Sequence, residues 1–176
     1  MRKNIILIIS CTNCIFCSTQ TKINKNKEID IIVSTPINLA KQTPIKYTLL
    51  NNSKNTYIID PYGFTGYSYW LFENKKLNPI YFSKGYYARE GEDCESDLII
   101  IKPKQKIDTI LNLNYIDRGR YDLSKQGNYF WYVKSKHDRK NGMPLSCKKY
   151  IDDLEGIGYR FLEDSIVAKI LFVREE

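Results

Sequence analysis

The chain has 176 residues, 27 Lys plus Arg against 20 Asp plus Glu, and a net charge of +7. That length builds one domain with a proper core. The basic excess is scattered among acids rather than lined along one helix, which argues against nucleic acid and for acidic surfaces such as lipid headgroups or anionic polysaccharide.

The first element is an apolar stretch, Asn4 to Phe16, led by Arg2 and Lys3 and closing on Cys17-Ser18-Thr19-Gln20. A basic start, an isoleucine-rich middle and small or polar residues behind it have the layout of a removable export signal. It falls short of the roughly 20 apolar residues that a membrane span takes. Cys11, Cys14 and Cys17 spell C-x-x-C-x-x-C, but the fourth ligand and the proline of a ferredoxin run are missing. No metal or other cofactor is expected. The ending fits a bacterial lipoprotein signal with acylation at Cys17. Cys11, behind Ile8-Ile9-Ser10, is the alternative, and it leaves an apolar segment shorter than the usual minimum of about seven residues. On this reading residues 1–17 are signal, and the mature protein is exported. It is held to the cell envelope by an N-terminal lipid and faces the periplasm or the exterior.

Residues 18–27 are polar and free of pattern, as a flexible tether would be. Alternation follows in a domain spanning residues 28–176. Ile29, Ile31 and Val33 share one face of a strand over 28–34, and Ile45, Tyr47 and Leu49 share one face of the next, ahead of the Asn51-Asn52-Ser53-Lys54-Asn55 turn. Further strands are expected at 56–60, 67–73, 79–83, 98–102, 107–113, 128–135 and 165–173. Ile151, Leu154 and Ile157 mark one short helical turn, broken by Gly156 and Gly158.

Cys94 and Cys147 form an even pair in an exported chain, so a disulfide is the simplest expectation; two buried free thiols are the alternative. Both sit in polar surroundings, so the bridge would pin two loops.

Many short strands with Gly, Pro and Asn turns argue for an all-β sandwich or barrel. The stretch Leu123-Ser124-Lys125-Gln126-Gly127-Asn128-Tyr129-Phe130-Trp131 resembles the tyrosine corner of immunoglobulin-like domains, in which a Tyr hydroxyl bonds back to loop backbone. Trp131 stands where antibody domains place a cysteine. Strand order, the Asn-Asn-Ser turn and Ile101-Lys102-Pro103 also resemble the BsuPI-like proteinase-inhibitor domains of bacterial lipoproteins, over residues 28–136. The resemblance implies an immunoglobulin-like antiparallel β-sandwich with long loop insertions. The insertion at 62–97 departs from it and weakens the inhibitor reading.

Chemistry-bearing motifs are few. His137 is the sole histidine, in a His137-Asp138-Arg139-Lys140-Asn141-Gly142 segment that reads as a solvated turn. The acidic run Glu90, Glu92, Asp93, Glu95 and Asp97 lacks the alternating ligands and glycine of a calcium loop. Aromatic residues are denser: Tyr62, Phe64, Tyr67, Tyr69, Trp70, Tyr81, Phe82, Tyr86 and Tyr87 fall within one insertion. Alternation separates Tyr67, Tyr69 and Leu71 from Ser68, Trp70 and Phe72 without saying which face is inside. The candidate binding residues are Trp70, Tyr69, Tyr86 and Tyr87, for a protein or glycan partner. The expected function is a tethered, non-catalytic binding module, with an envelope enzyme or carbohydrate-binding accessory as the alternative.

Overall fold

The computed structural model describes residues 18–41, 44–81, 93–113, 120–142 and 144–175. The lipidation candidates Cys17 and Cys11, and Tyr86 and Tyr87, lie outside the described residues.

Strong period-2 alternation becomes a two-sheet core. The first strands are β1 (Thr19–Lys22), β2 (Ile29–Thr35), β3 (Ile37–Asn38), β4 (Lys46–Asn51), β5 (Tyr57–Ile59), β6 (Phe64–Phe72) and β7 (Lys75–Lys76). They are followed by α1 (Cys94–Asp97), β8 (Ile99–Ile101), β9 (Lys106–Ile110), β10 (Gly127–His137) and α2 (Arg139–Gly142). The chain closes with α3 (Lys148–Gly156), β11 (Arg160–Phe161) and β12 (Asp164–Arg174). One sheet has the order β1-β2-β4-β9, the facing sheet β3-β12-β10-β6-β7, and a small third sheet β11-β5-β8. The chain steps from the first sheet to the second at the cis Thr35-Pro36 bond, after which β3 pairs parallel with β12. The fold is the expected immunoglobulin-like all-β sandwich.

Between the sheets lie Ile29, Ile31, Tyr47 and Leu49 from one side and Trp70, Tyr129, Trp131, Ile170 and Phe172 from the other. Trp70 and Trp131 are cross-strand partners with ring centroids 6.5 Å apart, and Phe172 meets Trp70 edge-on at 4.8 Å. Gly66 lets β6 run tight against β10. A Cβ there would sit 2.1 Å from the Lys134 carbonyl oxygen, closer than any side chain tolerates. The tyrosine corner is present: Tyr129 is buried and its hydroxyl donates to the Lys125 carbonyl at 2.8 Å. A bond of that kind contributes about 0.5–1.5 kcal/mol net.

The tether reading of residues 18–27 is corrected. Thr19 to Lys22 pair antiparallel with Ile32 to Thr35, adding an edge strand whose four residues are all exposed. Asn24 is buried, and its side-chain amide donates to the Ile29 carbonyl and the Asp164 carboxylate. A polar edge strand buries no face of its own, so its hydrogen-bonding neighbour and not its apolar pattern makes it a strand. The domain therefore begins at β1.

The third sheet and α3 enclose a second, smaller core of Ile58, Leu98, Cys147, Ile151 and Phe161. The Cys94–Cys147 disulfide joins α1 to the segment entering α3, with Cα atoms 5.4 Å apart. The nine-residue α3 is longer than the single turn expected, because Tyr150, Ile151 and Leu154 fall on one face while lysines and acids occupy the other. It stops at Gly158, whose left-handed backbone (φ 97°) lets its N–H bond back to the Glu155 carbonyl. The strand expected at 79–83 is not formed over residues 79–81; Ile80 and Tyr81 are exposed there.

Two polar side chains join this annex to the sandwich. Asn51 is fully buried and donates to the Asn55 and Ile101 carbonyls. His137 closes β10 rather than sitting in a solvated turn: it is 0% exposed, between the rings of Phe64 and Phe161. The Asp60 N–H donates to its Nε2 at 3.1 Å, which places the ring proton on Nδ1, 2.6 Å from the Leu162 carbonyl. Burial pushes its pKa below the usual histidine value. Both nitrogens are occupied, so the ring ties structure together.

Candidate binding face

Alternation on β6, β10 and β12 sends one set of residues inward and the other onto the outer face of the five-stranded sheet. Inward go Phe64, Trp70, Tyr129, Trp131, Val133, Ile166, Ile170 and Phe172. Trp70 is 1% exposed, which corrects its candidacy as a surface anchor: its cross-strand partner Trp131 and the edge-on Phe172 take its whole surface into the core.

The outward residues fall into cross-strand rows set by the register. Tyr69, Tyr132 and Lys169 make one row, Tyr67, Lys134 and Val167 the next, and Leu71, Phe130 and Leu171 a third. Tyr67 is 53% exposed and Val167 41%. The Tyr69 and Tyr132 rings stack at 4.8 Å, and Tyr67 approaches Tyr132 at 6.4 Å. The Lys169 ammonium lies 4.1 Å from the Phe130 ring centre, and the Lys76 ammonium 4.8 Å from that of Tyr69. Each ammonium over a ring face is a cation–π contact of about 0.5–1 kcal/mol when exposed. These contacts hold the lysines over the aromatic rows. Lys136 extends the column on β10 and pairs with Asp138 at 2.8 Å, just beyond the strand end. That carboxylate raises the Lys136 pKa above its ordinary value.

No outward position on β6, β10 or β12 holds Asp or Glu. The opposite sheet differs. On its outer side Thr48 bonds Asp108 at 2.6 Å, Asn52 bonds Asp30 at 2.9 Å, and Lys22 pairs with Asp30. One face of the sandwich is thus ring-rich with lysines among the rings, and the other is polar, carrying Lys46 and Lys106 as well as Asp30 and Asp108.

A shallow cleft of about 440 Å³ opens beside the annex between Asn26, Tyr57, Arg139, Glu155, Tyr159 and Arg160. Several of its charges are paired. Arg139 clasps Asp152 and Glu155 of α3, Tyr57 donates to Glu28, and Arg160 lies 3.8 Å from Glu28. Burial, then Glu28, raises the Tyr57 pKa. These pairs brace the annex, and Glu163 lines the cleft beside them.

Of the candidate residues, Tyr69 takes a place on the outer face. Cys94 and Cys147 are bridged. Asp93 of the acidic run caps α1, accepting from the Glu95 and Ser96 N–H groups; the Ser96 side chain first, then these two N–H groups, hold its carboxyl below the usual range. Among the described residues no three His, Cys, Asp or Glu side chains converge as a metal site would need. Phe130, Tyr132, Lys134, Val167 and Lys169 were absent from the candidates. Their signal is the outward half of the alternation in 128–135 and 165–173, which becomes a surface only when the register is known. Compared with known proteins, the chain matches no family model and no curated sequence.

Proposed function

We propose that this protein is an exported, lipid-anchored binding module of the cell envelope, with no catalytic activity of its own. The anchor is Cys17, with Cys11 as the alternative, and the working surface is the outer face of β6, β10 and β12. The observation that carries the reading is the row structure of that face, with the exposed Tyr67 and the half-buried Tyr69 and Tyr132 interleaved with lysines and no acid at the outward positions of β6, β10 and β12. Aromatic residues with polar tips are enriched where one protein surface meets another molecule. A ring-rich sheet face of this kind suits recognition better than turnover, since among the described residues no acid, base and nucleophile converge on it.

The test uses the full chain extracted from its own membranes in mild detergent. The native protein should elute larger than the purified protein, because its partner travels with it. A Tyr67→Ala/Tyr132→Ala variant should elute at the free size with an unchanged circular dichroism spectrum, and a Cys17→Ser variant should leave the membrane fraction. Equal elution of the native and double-variant proteins would place the partner elsewhere.

A further inference from the structure

We infer that the end of the sandwich where β1 starts is a lipid-docking rim: the acylated Cys17 holds it against phospholipid headgroups and the annex points away from the bilayer. This rests on the lipid-anchored reading above and names the surface that meets the lipid.

The leash is short. Only Ser18 stands between Cys17 and Thr19, the first residue of β1. Two extended residues span about 7 Å at most, so Thr19 stays at headgroup level. β1 is itself tied down. Its four residues hold register with Ile32 to Thr35, and the Thr19 and Thr35 hydroxyls bond at 3.2 Å. Just past the strand, the buried Asn24 donates to the Ile29 carbonyl at 2.8 Å and to the Asp164 carboxylate, and accepts from the Ile31 N–H at 2.8 Å. The leash therefore gains no length from the residues that follow it.

Strand register says which end of the molecule that is. Thr19 pairs with Thr35, and two residues on Ile37 pairs with Phe172. At the same level Arg174 pairs with Gly127, and Phe72 with Tyr129. The rim is thus formed by Thr19, Pro36, the Glu73-Asn74 hairpin, the loop ahead of Gly127, and Arg174. β10 leaves this rim and ends at His137 after 11 residues, a run of about 33 Å. At its distant end lie Phe64 and Asp164, and there the chain enters the annex with α2 and α3. A leash of about 7 Å at one end of so long a body brings the rim to the headgroups, and not the annex.

The rim also has the chemistry of a headgroup contact. Lys75 and Lys125 are exposed on it, as are Glu73 and Asp122. Charges of both signs face a zwitterionic layer without net repulsion, so the contact needs no anionic lipid. On this base the ring rows stand upright. Leu71, Phe130 and Leu171 are lowest and Tyr67, Lys134 and Val167 highest, about 10–23 Å above the rim.

The experiment places the full-length acylated protein in vesicles of zwitterionic phosphatidylcholine that carry a nitroxide quencher on the headgroup. A fluorescent amino acid replaces Lys75, Lys125, Lys140, Lys149 or Val167, one at a time; all five positions are exposed, and melting curves check the fold. Emission should be lost at Lys75 and Lys125 and kept at Lys140 and Lys149 in the annex and at Val167 on the ring face. The pattern should be the same in low and high salt, because the leash and not charge sets it. Inserting a flexible Gly/Ser segment of about 20 residues between Ser18 and Thr19, with an end-to-end distance of about 25 Å, should restore emission at Lys75 and Lys125. Equal loss at Lys140 or Lys149, or equal loss at Val167 from a domain lying on its ring face, overturns the inference. So does a loss at the rim that survives the insertion, or no loss at any position in a protein acylated at Cys17. Mass spectrometry of the same sample separates the two readings. Acylation at Cys11 breaks the short leash and leaves the lipid-anchored module standing, whereas a chain without lipid sinks the anchor itself.

Discussion

Replacing Trp131 with alanine should destabilise the domain by about 3–5 kcal/mol, the range for emptying a large aromatic from a core. Trp131 is 0% exposed, faces Trp70 on β6 and Ile170 on β12, and lies at the centre of the five-stranded sheet. It occupies the place where antibody domains join their sheets with a cysteine, so here indole packing does the holding. Domains of this size are stable by about 5–15 kcal/mol in total, so the alanine variant should lie close to unfolding at physiological temperature. Trp131 Nε1 is buried without a hydrogen-bond partner. Trp131→Phe therefore removes an unpaired donor while keeping an aromatic ring, and it should cost clearly less than the alanine change. Urea unfolding midpoints of the two variants measure this order. An alanine variant within about 1 kcal/mol of the native protein, below any ordinary core truncation, would contradict the core assignment.

Removing the disulfide is the second large effect. Cys94 and Cys147 are 53 residues apart in sequence, and the loop they close contains β8, β9 and β10. In the chain-entropy model, closing a loop of that length stabilises by about 4 kcal/mol. For a chain of this size that corresponds to a fall in Tm of about 8–16 °C. Cys94→Ala/Cys147→Ala should show the shift in a thermal melt, and reducing agent should give the native protein the same Tm as the variant. Because the bridge sits in the small core with Ile58, Leu98, Ile151 and Phe161, amide exchange should rise most in α3 and least in β10. A melt unmoved by reductant, or exchange that rises evenly through both cores, would count against the bridge as the clamp of the annex.

Much of the sandwich was legible because its strands bury one face and alternate cleanly. Ile29, Ile31 and Val33, or Tyr47 and Leu49, announce themselves in any reading. The corner at Tyr129 was legible because a Gly-x-Tyr entry to a strand has a local mechanism. Elements that depend on a distant partner were not. β1 is polar throughout and exists by pairing with β2; α3 depends on the disulfide and on Ile58 and Phe161 to bury its apolar side. His137 read as a turn because its neighbours are polar, yet Asp60 and Leu162 converge on its two nitrogens from other parts of the chain. Trp70 and Tyr69 are adjacent aromatics with opposite fates. The pattern separated them, and only Trp131 and Phe172 across the sheet decide that Trp70 goes inside. The lysine and tyrosine rows were invisible for the same reason, since they are assembled from three strands by register.

The working face is tested most directly by photo-crosslinking in living cells, with a benzophenone amino acid placed in the full chain at Tyr67, Tyr132 or Val167 on one sheet and at Thr48 or Asp108 on the other. Adducts of reproducible mass or mobility at the first three positions, and none at the last two, are the predicted result. Adducts confined to Thr48 or Asp108, or found equally on both sheets, would contradict the assignment of the β6, β10 and β12 face as the binding surface.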